Sequence, residues 1–140
     1  MKKRKYYIIA SILVTAFIFR NSLQSAAVST DESSGFVRAL LFILSRIGIS
    51  AEYGAVEVFV RKAAHVTEFF VQGLLISRCF YGRYRNRVVY ILFFGLLTAC
   101  TDEFIQLFVE ERAGMVVDIM IDFSGTVLAT LAGATGRERR

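Results

Sequence analysis

Four apolar runs divide the chain, at approximately residues 6–23, 63–81, 88–109 and 115–135. Each approaches the ~20 residues that a helix needs to cross hydrocarbon. The first, from Tyr6, is interrupted through Phe19 only by Ser11 and Thr15. A signal peptide is the competing reading of this run, with Ser25-Ala26-Ala27 as the small-residue site. Arg20 and Asn21 are awkward before such a site, so a retained first helix is expected.

The long connection from Asn21 to Lys62 has a different pattern. Asp31-Glu32-Ser33-Ser34-Gly35 reads as a polar, exposed break that caps a following helix. Phe36 to Ile47 is too short to span, and its arginines, Arg38 and Arg46, lie on roughly one side of a helix. This predicts a short interfacial amphipathic helix between spans one and two. Ile49 to Val60, with Gly48 and Gly54 as breaks, predicts a second short helix leading into span two. The expected fold is therefore all-α: a single domain over 1–140, a four-helix transmembrane bundle with a short interfacial helix.

Composition agrees with a membrane protein. Hydrophobic residues make up 55% of the 140 and charged residues 21%, and mean hydropathy is +0.52; soluble domains are less apolar. The net charge of +5 lies mostly at the ends of apolar runs, with no aromatic–basic interleaving on a polar surface. It points to membrane orientation, and no nucleic-acid partner is expected. Lys and Arg number four before the first run, four between the second and third counting Arg78, and three in the tail. The turn between the third and fourth has only Arg112. The positive-inside rule then places both termini in the cytoplasm of a multi-pass cell-membrane protein. Cys79 and Cys100 lie inside apolar runs without metal-ligand spacing and read as small buried hydrophobes.

With that orientation, the polar residues embedded in the runs gather in one layer. Ser22 and Gln24 end span one. Arg61, Lys62, His65 and Glu68 open span two, Asp102, Glu103 and Gln106 end span three, and Asp118 and Asp122 open span four after Arg112. All fall in the outer half of the bundle. Arg61, His65 and Glu68 share a helix face, as do Asp118 and Asp122. An unpaired charge near mid-bilayer costs about 3 kcal/mol on insertion scales, so a shared polar pocket is expected. Its five acids (Glu68, Asp102, Glu103, Asp118, Asp122) outnumber its three fixed cations (Arg61, Lys62, Arg112). Protonated His65, protonated carboxyls, a metal ion or outer water would each balance the excess.

The same residues carry a resemblance. Arg61-Lys62-Ala63-Ala64-His65-Val66-Thr67-Glu68-Phe69 resembles the RKxAHFxEY signature of the VanZ-like family. Asp102-Glu103-Phe104-Ile105-Gln106-Leu107-Phe108 resembles its DExxQxF element, and Arg112-Ala113-Gly114 with Asp118, Asp122 and Gly125 its PGRxG…D…(D/N)xxG element. Asn21-Ser22-Leu23-Gln24 corresponds to its FSxQ element. Glu110-Glu111 stand where the family has Pro-Gly, Asn21 replaces an aromatic and Phe69 a tyrosine. The resemblance implies a small polytopic protein of the bacterial cytoplasmic membrane. The family's namesake is associated with low-level resistance to teicoplanin, a lipoglycopeptide antibiotic. That is a phenotype rather than a reaction.

Three functional readings stay open. The third, a small transporter or scaffold, has against it an inner half without a matching polar path and the little volume that four helices enclose. In the first, Arg61 and Arg112, with Gln106, Asp102, Asp122, Ser22 and Gln24, bind a lipid headgroup or a lipid-linked wall precursor, arginine being suited to forked recognition of phosphate or carboxylate. In the second, His65, Glu68, Glu103 and Asp118 perform acid–base catalysis on such a molecule. The bland alternatives are a structural ion-pair network and, for Lys62, a side chain that snorkels to the interface. One histidine among carboxylates makes a poor zinc site, so no metal and no cofactor are expected. Gly125 and Gly133 read as packing residues that let helices approach. Oligomeric state has no signature in the sequence.

Overall fold

The structure, a computed structural model, describes residues 2–80, 84–110 and 112–135. These residues form five α-helices and no strand: α1 (Lys2–Ser22), α2 (Ala26–Arg46), α3 (Tyr53–Cys79), α4 (Tyr84–Gln106) and α5 (Val116–Thr135). Gly82, Arg83 and Glu111, and the basic tail from Gly136, lie outside the described residues.

Two helices are long and apolar enough to cross a membrane, over Arg87–Gln106 and Val116–Gly133. α1 carries Lys3, Arg4, Lys5 and Arg20, and α3 carries Glu57, Arg61, Lys62, Glu68 and Arg78, so both are less apolar over their length. The outer surface nonetheless carries many large apolar side chains. Ile12, Leu13 and Phe17 of α1, Phe93 and Leu97 of α4, and Met120 and Leu131 of α5 are all at least half exposed. Inside, ten described polar or charged residues are buried against nine hydrophobic ones. A water-soluble domain shows the opposite distribution, so the helices and their surface are consistent with a membrane protein.

α2 corrects the expectation of a break at Asp31–Gly35. The helix starts eleven residues before Phe36, at the Ser25 cap, whose hydroxyl accepts from the Val28 amide at 3.4 Å, and runs through the polar stretch. The Thr30 hydroxyl also donates to Glu57 Oε1 on α3 at 2.6 Å, fixing this part against the bundle. Gly35 costs only about 1 kcal/mol relative to alanine inside a helix. The expected amphipathic segment 36–47 is thus the second half of a 21-residue helix. The helix ends at Arg46, and Gly48 just beyond it has a φ of +77°, which suits a residue without a Cβ.

α3 likewise replaces a short helix plus a span with one 27-residue helix. Gly54 falls in its first turn and does not interrupt it. α3 is the centre of the fold and touches all four other helices. Its approach to α5 depends on Gly125, where a Cβ would collide with the Val66 carbonyl and reach 3.0 Å from the Phe70 amide nitrogen. On the other side, a Cβ at Gly73 would stand 2.7 Å from that of Ala129. Gly133 has open space around it and does not serve the close approach expected of it. Cys79 is buried, but Cys100 is exposed on α4, contrary to the expectation for it.

Three layers fill the interior of α1, α3, α4 and α5. Ile18, Phe69 and Ala99 form a fully buried apolar layer, with Val14, Phe19 and Ile119 against it. On its α1 N-terminal side, Gln72 Nε2 donates to the Thr15 hydroxyl at 2.7 Å and to the Thr98 hydroxyl at 3.0 Å. On the other side lies the charged layer.

Candidate functional site

The charged layer is made where three helix ends meet. Three or four residues beyond the apolar layer along their helices, α1 presents Ser22, α3 His65 and α4 Asp102, and α5 adds Asp122. Asp102 is fully buried and Asp122 is 2% exposed. The Ser22 hydroxyl donates to Asp102 Oδ1 at 2.5 Å, and Gln106 Nε2 donates to Asp102 Oδ2 at 3.3 Å. His65 Nδ1 stands 3.8 Å from Asp102 Oδ2 and 3.6 Å from Asp122 Oδ1. Both distances lie just beyond a hydrogen bond. His65 Nδ1 and Asp122 Oδ2 are buried without a hydrogen-bond partner.

Two cavities flank this centre. One, of about 230 Å³, is lined by Arg61, Lys62, His65, Glu103, Gln106, Arg112, Asp118 and Asp122 among others. The other, of about 180 Å³, is lined by Asn21, Gln24, Arg61, His65, Glu68 and Arg112 together with residues of α2. Arg61, His65 and Arg112 therefore belong to both. Among the described residues, neither arginine forms an ion pair with a carboxylate, and Arg112 Nε is buried without a hydrogen-bond partner. Burial, with the neighbouring Arg61 guanidinium adding repulsion, pushes Arg112 below its ordinary value.

The other charges are engaged locally. Lys62 Nζ pairs with Asp118 Oδ1 at 2.5 Å, both side chains being about one-third exposed (37% and 27%). Lys62 thus bridges α3 to α5 at the cavity rim. Glu103 accepts from Gln106 Nε2 at 3.2 Å and from the Met115 amide at 2.8 Å, which ties the end of α4 to the start of α5. Glu68 Oε1 accepts from Asn21 Nδ2 at 2.9 Å.

A model of the VanZ/LLP1 family matches residues 7–134. The chain belongs to the VanZ/LLP1 family. No curated protein and no solved structure matches it.

The segments that resemble VanZ-like motifs come together in space. Arg61, His65 and Glu68 present one face to the cavities, and the Asp102–Gln106 and Arg112–Asp122 segments close the larger one. Gln24 lines only the smaller cavity. Ser22 and Asp102 line neither; they stand behind His65 and hold the wall. Two participants had no signal in the sequence. Asn21, noted as awkward before a cleavage site and as a departure from the family pattern but not as a site residue, is the partner of Glu68. The Met115 amide, which no side-chain pattern reveals, is a partner of Glu103.

Proposed function

We propose that this VanZ/LLP1 protein crosses the cell membrane four times, through α1, α3, α4 and α5, with both termini in the cytoplasm. Its charged layer then faces the outer leaflet, where it binds the phosphate of a lipid headgroup or of a lipid-linked wall precursor. α2, packed mainly along α3 and exposing Phe36, Phe42 and Ile43, lies in the outer interface.

The observation that supports the reading most is the shared arginine pair. Arg61 and Arg112 line both cavities without a carboxylate partner among the described residues. Two neighbouring guanidiniums in a poorly hydrated wall repel, and an anion between them removes that cost. Arginine also offers a planar fork matched to phosphate. The cavity volumes favour a headgroup, since drug-sized ligands occupy roughly 300–1,000 Å³. A low-level effect on teicoplanin then follows from a changed outer surface rather than from capture of the antibiotic.

The test is binding of short-chain phosphatidic acid, with short-chain phosphatidylcholine as comparison, to the protein in detergent. A hydrogen bond to a charged group contributes about 1.5–3 kcal/mol, so Arg61→Gln and Arg112→Gln are each expected to weaken binding about tenfold or more. Equal affinity in both variants would reject the anion site. Cysteine-labelling from outside the cell, expected at Ala113→Cys and absent at Asn86→Cys, tests the topology.

A second reading rests on His65. Its Nδ1 faces two carboxylates while the ring lines both cavities, the arrangement of an imidazole oriented for acid–base work. Lipid mass spectrometry of cells with and without the gene separates the two. A covalently altered headgroup or precursor, lost in His65→Gln, favours the enzyme; unaltered lipids favour the binder.

A further inference from the structure

We propose that His65, Asp102 and Asp122 form a binding site for one divalent transition-metal ion, of the Zn2+ or Mn2+ class. This is a departure from the sequence, where a single histidine argued against a metal. Spacing along three helices did not show that two carboxylates converge on that histidine.

Geometry supplies the first support. One donor atom from each residue lies within 4.8 Å of the other two, and the two distances from His65 Nδ1 are 3.6 and 3.8 Å. Donors held about 2.1 Å from a common ion stand roughly 3–3.5 Å apart, so small side-chain rotations close the set. The donors come from α3, α4 and α5, elements fixed by the glycine contacts of α3 with α5 and by the Glu103–Met115 tie.

The second support is the state of the donor atoms. His65 Nδ1 and Asp122 Oδ2 are both buried without a hydrogen-bond partner, and Asp122 itself is 2% exposed. Buried carboxylate oxygens and imidazole nitrogens find partners in nearly all folded proteins. Asp102 already has the supporting contacts of a ligating carboxylate, from Ser22 and Gln106, of the kind that orient metal ligands elsewhere.

Charge gives the third. Lys62 is taken by Asp118, Glu68 is held by Asn21, and Glu103 by Gln106 and Met115. Asp102 and Asp122 are left beside His65, without an ion pair to any described lysine or arginine. A dication balances the two carboxylates. One imidazole nitrogen with two carboxylates is a donor set suited to zinc or manganese. Asp122 and His65 line the larger cavity, so the ion's remaining positions face the space where the phosphate is proposed to lie. The metal site stands without that phosphate, and its test contains none.

His65 is the chain's single histidine, which permits a decisive measurement. Tag-free full-length protein in detergent, stripped with chelator, is titrated with MnCl2 or ZnCl2 alone. One equivalent is expected to bind, with at least tenfold weaker binding in Asp122→Asn and His65→Gln. Pulsed EPR of the bound Mn2+ is expected to show coupling to an imidazole nitrogen, which only His65 can supply. The wild-type spectrum decides even if the variants fail to fold. No stoichiometric binding of either ion, or bound Mn2+ without imidazole coupling, overturns the site. So does unchanged affinity in both folded variants. Loss of lipid binding in the arginine variants with metal uptake intact would separate this site from the anion site.

Discussion

Ser22 and Asp102 meet through a 2.5 Å hydrogen bond, with both residues fully buried. The bond joins the last turn of α1 to the last turns of α4 beneath His65. Without it, Asp102 Oδ1 would be an unsatisfied buried acceptor.

Ser22→Ala is therefore expected to destabilise the protein by about 1.5–3 kcal/mol, the range for a hydrogen bond to a charged group. Thermal unfolding in detergent should show a clearly lower midpoint. A midpoint equal to wild type would mean that the pair does not hold α1 in place.

Gly125→Ala should be worse than its single added methyl suggests. The Cβ has nowhere to go except into the Val66 carbonyl and the backbone of Phe70, so α3 and α5 must separate. Overpacking of this kind costs about 1–3 kcal/mol. Gly133→Ala, with open space around it, serves as the control and should unfold like wild type. Equal midpoints for the two variants would contradict the close packing of these helices.

Lys62 and Asp118 should matter less than their short contact implies. Both are about one-third exposed, and pairs open to solvent contribute about 0–1 kcal/mol. A double-mutant cycle of Lys62→Met and Asp118→Asn is expected to give a coupling in that range. A coupling of several kcal/mol would show that the pair is shielded from water.

Glu103→Ala should loosen one segment rather than the whole. Removing the carboxylate frees the Met115 amide, and the link between α4 and α5 loses its anchor. Hydrogen exchange at Phe108, Val109, Gly114 and Met115 is expected to quicken by about tenfold, as for loss of one hydrogen bond of about 1.4 kcal/mol. The amides of α1 should be unchanged. Uniform acceleration throughout the protein would assign Glu103 a global role instead.

α1, α4 and α5 could be read from the sequence because each coincides with one long, mostly apolar run. The long α2 could not. Its first third is polar, and it is held by the Ser25 cap and by Glu57 from another helix, a contact that no local pattern contains. The convergence of charges was legible for a physical reason: ionisable residues inside apolar runs need partners, and the expected topology put them all at one depth. The pairing within the cluster was not. A spacing of four puts Asp118 and Asp122 on one face, but only the rotation of α5 sends Asp122 to His65 and Asp118 to Lys62. Asn21 escaped because a neutral amide at the end of a run raises no alarm.

The layer of Ile18, Phe69 and Ala99 has a consequence for traffic. It is an apolar seal between the histidine chamber and the Gln72 bridge with its threonine hydroxyls. On the proposed topology, a guest would enter the chamber and leave it by the same mouth. Such a dead end suits the proposed binder, which holds its guest at one face.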